Sequence, residues 1–300
     1  MKIIHGINKI RKFRKPVVAM GVFDGVHRAH KGILKSAVAK ARKIRGTSIT
    51  LTFWPHPQKE GSLYSLEHRL RLIAGLGIDI CIVINFSRHF AKIEAKDFIR
   101  SILVNKISAE YIYVGRNFRF GKNAKGDLTL LNNLGKIYGF KAKGFRIIKA
   151  GNKPISSTLI RSLIRGGKIK QAQRLLDRPV SILGTVIKGT ALGRILGFPT
   201  ANINPHHEVI PAPGIYAAKI IFGKNKFKAA CYIGTRPTIG VKNKKTNIEA
   251  HIFNFNKNIY GKYLEIQFLK LIRPDKKFSS LALLTSQIKK DVASAKKLLS

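Results

Sequence analysis

The hydrophobic period of this chain changes once, near residue 180, and that change limits what it can fold into. Before it, short apolar runs alternate with segments of helical spacing. "PVVAMGVF" and "TSITLTF" read as buried strands, and "KGILKSAVAKARKI" between them places Ile33, Leu34, Ala37 and Ala41 at helical intervals. "LEHRLRLIAGLG", "IDICIVI", "AKDFIRSILVNK" and "AEYIYVG" continue as helix, strand, helix and strand. Such alternation predicts an α/β domain, a parallel sheet with helices on both faces. "SSTLIRSLIRGGKIKQAQRLL" then reads as two short helices split by "RGG". Beyond it, "VSILGTVIKG", "GIYAAKIIF", "FKAACYIG", "NIEAHIFNF" and "KYLEIQFLKLI" alternate apolar with polar between Gly, Pro and Asn turns, which predicts a small β-barrel. "SLALLTSQIKKDVASAKKLL" closes the chain as an amphipathic helix. The expected domains are therefore 1–179 and 180–300, and 300 residues suffice for both to bury a core.

Composition narrows the function classes. Lys and Arg number 57 against 14 acidic residues, a formal net charge of +43. A surface of this sign attracts polyanions at low salt. The lysines are spread over nearly every segment, however, and no tail or stripe concentrates them, so solvated surface is expected rather than a specific nucleic-acid interface. A basic nucleic-acid-binding protein remains the alternative from another class; it calls for aromatic residues interleaved with basic ones, and "NFRFGK" is the only local instance. No run of about 18 apolar residues exists to span a membrane. The N-terminus lacks the apolar core and small-residue cleavage site of a secretory leader. Cys81 and Cys231 lack metal or redox spacing, which suits a reducing cytoplasm.

In an open parallel sheet, ligands sit beyond the C-terminal ends of the strands. "GVFDGVHRAH", "FWPHP" and "GRNFRFG" all fall there. The first is a turn entering a helix, where backbone N–H groups and the helix dipole favour phosphate. Gly21 and Gly25 permit the tight backbone, and His27 and His30 can donate to phosphate oxygens as charge develops on them. The plainer reading is that two histidines three apart cap and pack. In "PISSTLIR", Ser156, Ser157 and Thr158 open a helix, and Arg161 one turn on can bind phosphate through two nitrogens. An ordinary Ser/Thr cap explains the same residues.

The second half carries "GTALGRILGFPTANI". Gly189, Gly193 and Gly197 suit a loop whose backbone wraps a nucleotide phosphate. Thr200 and Asn202, two apart on an incipient strand, point the same way. They are hard oxygen donors of the kind Mg²⁺ takes beside phosphates. Glu249 lies within an apolar alternating run, as a base for a hydroxyl nucleophile would. The plainer readings are a turn before a strand, and a strand carboxylate facing water.

In this order and spacing, "GVFDGVHRAH", "TFWPHP", "VGRNFRFGKNAKGD" and "ISSTLIR" resemble the adenylyltransferase half of the bacterial bifunctional riboflavin kinase/FMN adenylyltransferases, also called FAD synthetases. "GRILGFPTAN", "PAPGIYAAKI", "YIGTRPTIG", "IEAHIFNFNKNIYGK" and "FLKLIRPDKKF" resemble the riboflavin kinase half. Together they cover nearly the whole chain. The resemblance implies a nucleotidyltransferase domain with a Rossmann-like sheet, then a six-stranded barrel with a C-terminal helix. It implies ATP-dependent phosphorylation of riboflavin to FMN and transfer of AMP from a second ATP to give FAD and pyrophosphate, with Mg²⁺ as cofactor. It carries over His27, His30, Ser157, Thr158 and Arg161 as ligands of the ATP phosphates, with Gly21 and Phe23 in the same turn. It makes Asn117 a polar contact near the reacting phosphates, and Phe53, Pro55, Pro57 and Phe118 neighbours of the flavin. It places Gly189 and Gly193 in the ATP loop of the barrel, makes Thr200 and Asn202 the Mg²⁺/ATP ligands, and makes Glu249 the base. The partners implied are riboflavin, FMN and ATP, with no membrane and no specific nucleic acid. The sequence departs from the family at Ala29, where the HxGH motif has glycine, and at Trp54. A methyl at Ala29 could crowd a phosphate, and so motivates a kinase-only alternative with a degenerate first domain.

Overall fold

Every residue of "PVVAM" is buried, because the strand it forms is covered on both faces. The computed structural model describes residues 1–10, 12–56, 62–236 and 245–300. By packing it divides into two units, Met1–Ser62 with Leu66–Ser157, and Leu63–Ser65 with Thr158–Ser300.

The first unit runs β1 (Lys2–His5), β2 (Pro16–Met20), α1 (Arg28–Lys43), β3 (Thr47–Trp54), α2 (Leu66–Ala74), β4 (Ile80–Asn85), α3 (Ala95–Phe98) continued by a π-helical stretch (Ile99–Lys106), β5 (Tyr111–Gly115), α4 (Leu128–Tyr138) and β6 (Lys141–Phe145). A two-residue hairpin of β7 (Lys149–Ala150) and β8 (Lys153–Pro154) follows. The strands form one six-stranded sheet in the order β1-β4-β3-β2-β5-β6, and every pairing is parallel. Alternate residues face opposite layers. Val17, Ala19, Cys81 and Val83 pack with Leu34 and Ala37 of α1 and Ile73 of α2. Val18, Met20, Leu51 and Ile82 pack with Phe98, Ile102 and Leu131 on the other face. The helices on both faces are thus as the period predicts. The four inner strands were legible as apolar runs; β1 and β6, which close the edges, are lysine-bearing and between them bury only Ile4. Charged, short edges discourage further strand pairing.

Strand order also locates a site. From β2 the chain moves to β3 on one side, and later returns to β5 on the other. The switch point of such a sheet lies where the connections diverge, here beyond the C-terminal ends of β2 and β5. "GVFDGVH" leaves β2 there, and "GRNFRFG" leaves β5.

The second unit contains α5 (Ser157–Arg165) from Thr158 onward, α6 (Ile169–Leu176), β9 (Val180–Ile187), α7 (Leu192–Ile195), β10 (Ala201–Asn204), β11 (Gly214–Phe222), β12 (Asn225–Arg236), β13 (Lys245–Ile252), β14 (Tyr263–Pro274) and α8 (Leu281–Leu299). The six strands close into a barrel in the order β10-β13-β12-β11-β14-β9. Ala217 and Ala230 face outward to Val292 and Ala295 of α8. Their neighbours Tyr216, Ala218, Ala229 and Cys231 are buried on the opposite side, where alternation turns them into the barrel. Within this unit the short segment Leu63–Ser65 is anchored by Glu208, whose Oε1 accepts from Ser65 N (3.0 Å) and Ser65 Oγ (2.7 Å), while Oε2 accepts from Leu183 N (3.0 Å). Among the described residues no helix is long and apolar enough to cross a membrane.

Candidate active sites

The turn after β2 has an unusual backbone. Phe23, Gly25 and Val26 have φ of 51°, 82° and 40°, and two of these three left-handed positions are not glycine. Such positions cost about 1–3 kcal/mol each for bulky residues and persist only where surroundings hold them. Here Gly21 N donates to Leu51 O (3.1 Å), Thr52 Oγ1 to Val22 O (2.8 Å), and Ser157 Oγ to Asp24 O (2.7 Å). A Cβ on Gly21 would come 3.1 Å from the Phe23 ring. Phe23 itself is 1% exposed, so its ring belongs to the core and its backbone shapes the turn.

The turn delivers His27 as the N-cap of α1, its ring accepting from His30 N over a long 3.4 Å. An accepting Nδ1 leaves the proton of a neutral imidazole on Nε2. The two imidazoles stack with centroids 3.6 Å apart and 21° between planes. Capping and packing, the plainer reading, therefore coexist with a pair of rings held at a helix N-terminus, where the dipole favours an anion. Ala29 lies in the first turn of α1 and is absent from the residues of positive φ, so the backbone there does not require glycine.

The structure gives the other residues assigned to the adenylyltransferase half distinct places. Asn117 is exposed and Phe118 is half-buried, its ring 6.0 Å from Phe120. Phe53 is 5% exposed and sits among Phe86 and Phe90, so its ring is core rather than open wall. Pro55 is exposed and follows a cis peptide bond from Trp54, whereas Pro57 lies outside the described residues. Ser157 opens α5 and reaches the turn through Asp24 O. Further along that helix Arg161 is buried, and its Nη2 donates to Thr158 Oγ1 (3.0 Å). Sequence reasoning passed over Asp24, buried with His56 Nε2 3.9 Å from its Oδ2, and over the wholly buried Arg69. Arg69 did leave a signal: it falls within the apolar stripe of α2, beside Leu70 and Ile73.

The barrel gathers its residues around a cavity of about 310 Å³, within the size range of ligand sites. Thr200, Asn247 and Glu249 form a polar group in its lining, and Phe278, Leu284 and Ile288 an apolar one. Thr200 Oγ1 donates to Glu249 Oε2 (3.1 Å), and Asn247 Nδ2 donates to Glu249 Oε1. Asn202 is 8% exposed and stands opposite Glu249 in the β10–β13 register. The two glycines assigned to the loop make room for these donors. A Cβ on Gly189 would lie 2.1 Å from Asn202 Nδ2, and one on Gly193 would lie 3.1 Å from Thr200 Oγ1. Thr200 and Asn202 thus offer two neutral oxygens beside one carboxylate, a set that suits Mg²⁺ sharing its shell with phosphates and water. Burial raises the pKa of the Cys231 thiol in the same lining, and the Glu249 charge raises it further, so this sulfur stays protonated. Arg273 joins the end of β14 to α8 through Nε and Nη2 on Asp291 (2.9 and 2.7 Å), an ion pair that sequence spacing did not reveal.

A left-handed turn entering a helix on a parallel sheet, and a carboxylate among oxygen donors on a closed barrel, give the chain two candidate sites on two architectures. The family models agree with that division: one described as FAD synthetase matches residues 9–159, and one described as riboflavin kinase matches residues 176–299. The bifunctional riboflavin kinase/FMN adenylyltransferase of Buchnera aphidicola from Schizaphis graminum is 36% identical, covering 99% of this chain and 98% of its own length. Its counterparts in Escherichia coli K12 and Haemophilus influenzae are 33% and 34% identical over 99% of this chain. The chain belongs to the family of bifunctional riboflavin kinase/FMN adenylyltransferases. A crystal structure described as a macrolide-efflux protein from Streptococcus pneumoniae has the same fold, with a TM-score of 0.86 and 27% identity over 99% of both chains.

Proposed function

We propose that this chain makes FAD from riboflavin in two steps, in the cytoplasm, with residues 180–300 carrying the first and residues 1–179 the second. In the barrel, the riboflavin 5′-hydroxyl oxygen bonds to the γ-phosphorus of ATP as the bond to ADP breaks. Glu249 takes the hydroxyl proton. Thr200 already touches that carboxylate, and together with Asn202 it would hold Mg²⁺. When bound, the ion would supply charge neutralisation on the phosphates. Gly189 and Gly193 keep the loop close enough for the two donors to converge. Positioning and charge stabilisation carry most of a phosphoryl transfer.

In the second step an FMN phosphate oxygen bonds to the α-phosphorus of a second ATP, and pyrophosphate leaves. His27 and His30, at the N-terminus of α1, donate to the phosphates on which charge accumulates. Ser157, which donates to Asp24 O of the histidine turn, is assigned to the same phosphates, and Asn117 to the reacting centre. Phe53, Pro55, Pro57 and Phe118 belong to the flavin side, with Phe53 acting from the core. The FAD synthetase model matches residues 9–159, Ala29 included, and this supports both activities over the kinase-only reading.

The observation that carries this reading is a barrel cavity lined by Thr200 and Glu249, with Asn202 opposite Glu249 in the strand register, in a chain that also holds the histidine turn at its sheet's switch point. Incubation with riboflavin, ATP and Mg²⁺, followed by chromatographic separation, tests it. FMN and FAD are expected. FMN alone would leave only the kinase, and neither product would refute both assignments.

A further inference from the structure

Arg69 is the largest wholly buried side chain among the described residues, at 0% exposure, and the two reactions give it no task. Burial draws its pKa down, and the charge of Asp24 draws it up. Its guanidinium carbon lies 5.2 Å from the centre of the Trp54 ring. Among the described residues, Nε and Nη2 have no hydrogen-bond partner. A desolvated cation with two idle donors is destabilising, and an apolar side chain of similar volume would fill the space at less cost.

The third nitrogen shows what the charge is used for. Nη1 donates to Val22 O (2.7 Å) and to Phe53 O (3.2 Å). Val22 O also receives Thr52 Oγ1 at 2.8 Å. Val22 opens the turn whose left-handed residues Phe23, Gly25 and Val26 lead to His27. Phe53 is the residue before Trp54 and Pro55, at the end of β3. One nitrogen therefore ties the backbone of the histidine turn to the backbone of the flavin side, and a charged donor makes both bonds stronger than a neutral one would.

We propose that Arg69 is a positioning residue for adenylyl transfer, fixing the register between the triphosphate turn and the flavin wall by bridging the carbonyls of Val22 and Phe53. The inference rests on the adenylyltransferase reading above. It requires that loss of the bridge slow the chemical step itself, since a displacement near 1 Å between reacting groups costs about 10²-fold.

The test is single-turnover FAD formation from FMN and ATP, with the full chain in excess over FMN. The rate constant reports the geometry, and a first-turnover amplitude below the FMN supplied reports that competent protein has fallen below it. Arg69→Met should lower the rate constant by about 10–100-fold, with amplitude and riboflavin phosphorylation as in wild type. Arg69→Lys, whose ammonium can donate to both carbonyls, should recover most of that loss. An unchanged rate constant in Arg69→Met, or a fall in amplitude alone, would overturn the proposal, because the arginine would then serve only folding. Failure of Arg69→Lys to recover activity lost in Arg69→Met would overturn the bridge as the cause. If Arg69→Met does not fold, Arg69→Gln takes its place, since the shorter neutral amide cannot bridge both carbonyls; a slower rate constant at full amplitude supports the bridge, and a wild-type rate constant overturns it. A wild-type chain that makes no FAD from FMN refutes the adenylyltransferase reading, and this inference with it, whereas an active wild type beside an equally fast Arg69→Met refutes the inference alone.

Discussion

Gly189→Ala is the sharpest test of the barrel site. Gly189 is not among the residues of positive φ, so alanine strains no backbone torsion there. The whole effect is steric. An added Cβ would stand 2.1 Å from Nδ2, 2.5 Å from Cγ and 2.8 Å from Oδ1 of Asn202, where ordinary contact begins at 3.4 Å. The amide must therefore retreat by about 1.3 Å, or the loop must move instead. Asn202 is 8% exposed and paired on both edges of its strand, to Glu249 in β13 and Ile187 in β9, so it has little room to yield. A ligand of the phosphates displaced this far should cost about 10²-fold in kcat for riboflavin phosphorylation. Adenylylation of supplied FMN should be unchanged, which also shows that the chain is folded. The assay is initial rates of FMN formation from riboflavin and of FAD formation from FMN, measured separately at saturating ATP and Mg²⁺. Riboflavin phosphorylation within threefold of wild type would refute the assignment of Asn202 to the reacting phosphates.

Four further outcomes are expected. Glu249→Gln keeps the size of the side chain but removes the base, so FMN formation should fall by about 10²–10⁴-fold while FAD formation from FMN persists; equal loss of both would show that the sites are not independent. His27→Ala should reverse the pattern, lowering FAD formation by about 10²–10³-fold and sparing the kinase, as loss of one donor to developing charge does. Cys81, its thiol pushed up to about 12 by burial, and Cys231, raised further still, should resist a disulfide reagent at pH 8 and react only when the chain is unfolded in denaturant; rapid labelling of the native protein would contradict their burial. Binding to random duplex DNA should collapse between low and physiological salt, since the +43 charge acts without sequence preference; a sequence ratio of about 10³ at physiological salt would identify a specific binder instead.

Local patterns made much of this protein legible. The inner strands β2 to β5 show as continuous apolar runs because parallel strands are buried on both faces, and the barrel strands show as alternation because one side of each faces the interior. The histidine turn, the start of α5 and the residues around Glu249 were legible as types and spacings that suit phosphate, metal or proton transfer. The edge strands β1 and β6 were not, since lysines that guard an edge leave too little apolar signal to mark a strand.

The sequence by itself determined the two architectures, their order and the kinds of side chain offered to each site, because period and motif are properties of neighbouring residues. Tertiary structure decided which distant residues share a bond. Gly189 is needed as glycine because Asn202, on another strand, occupies the space of its Cβ. Phe53 has a core ring because Phe86 and Phe90 close over it. Arg69 is one of 57 cations in the sequence, and only the meeting of α2 with the ends of β2 and β3 makes it a buried bridge. Contacts of this kind depend on the relative placement of elements far apart in the chain, and no local pattern encodes that placement.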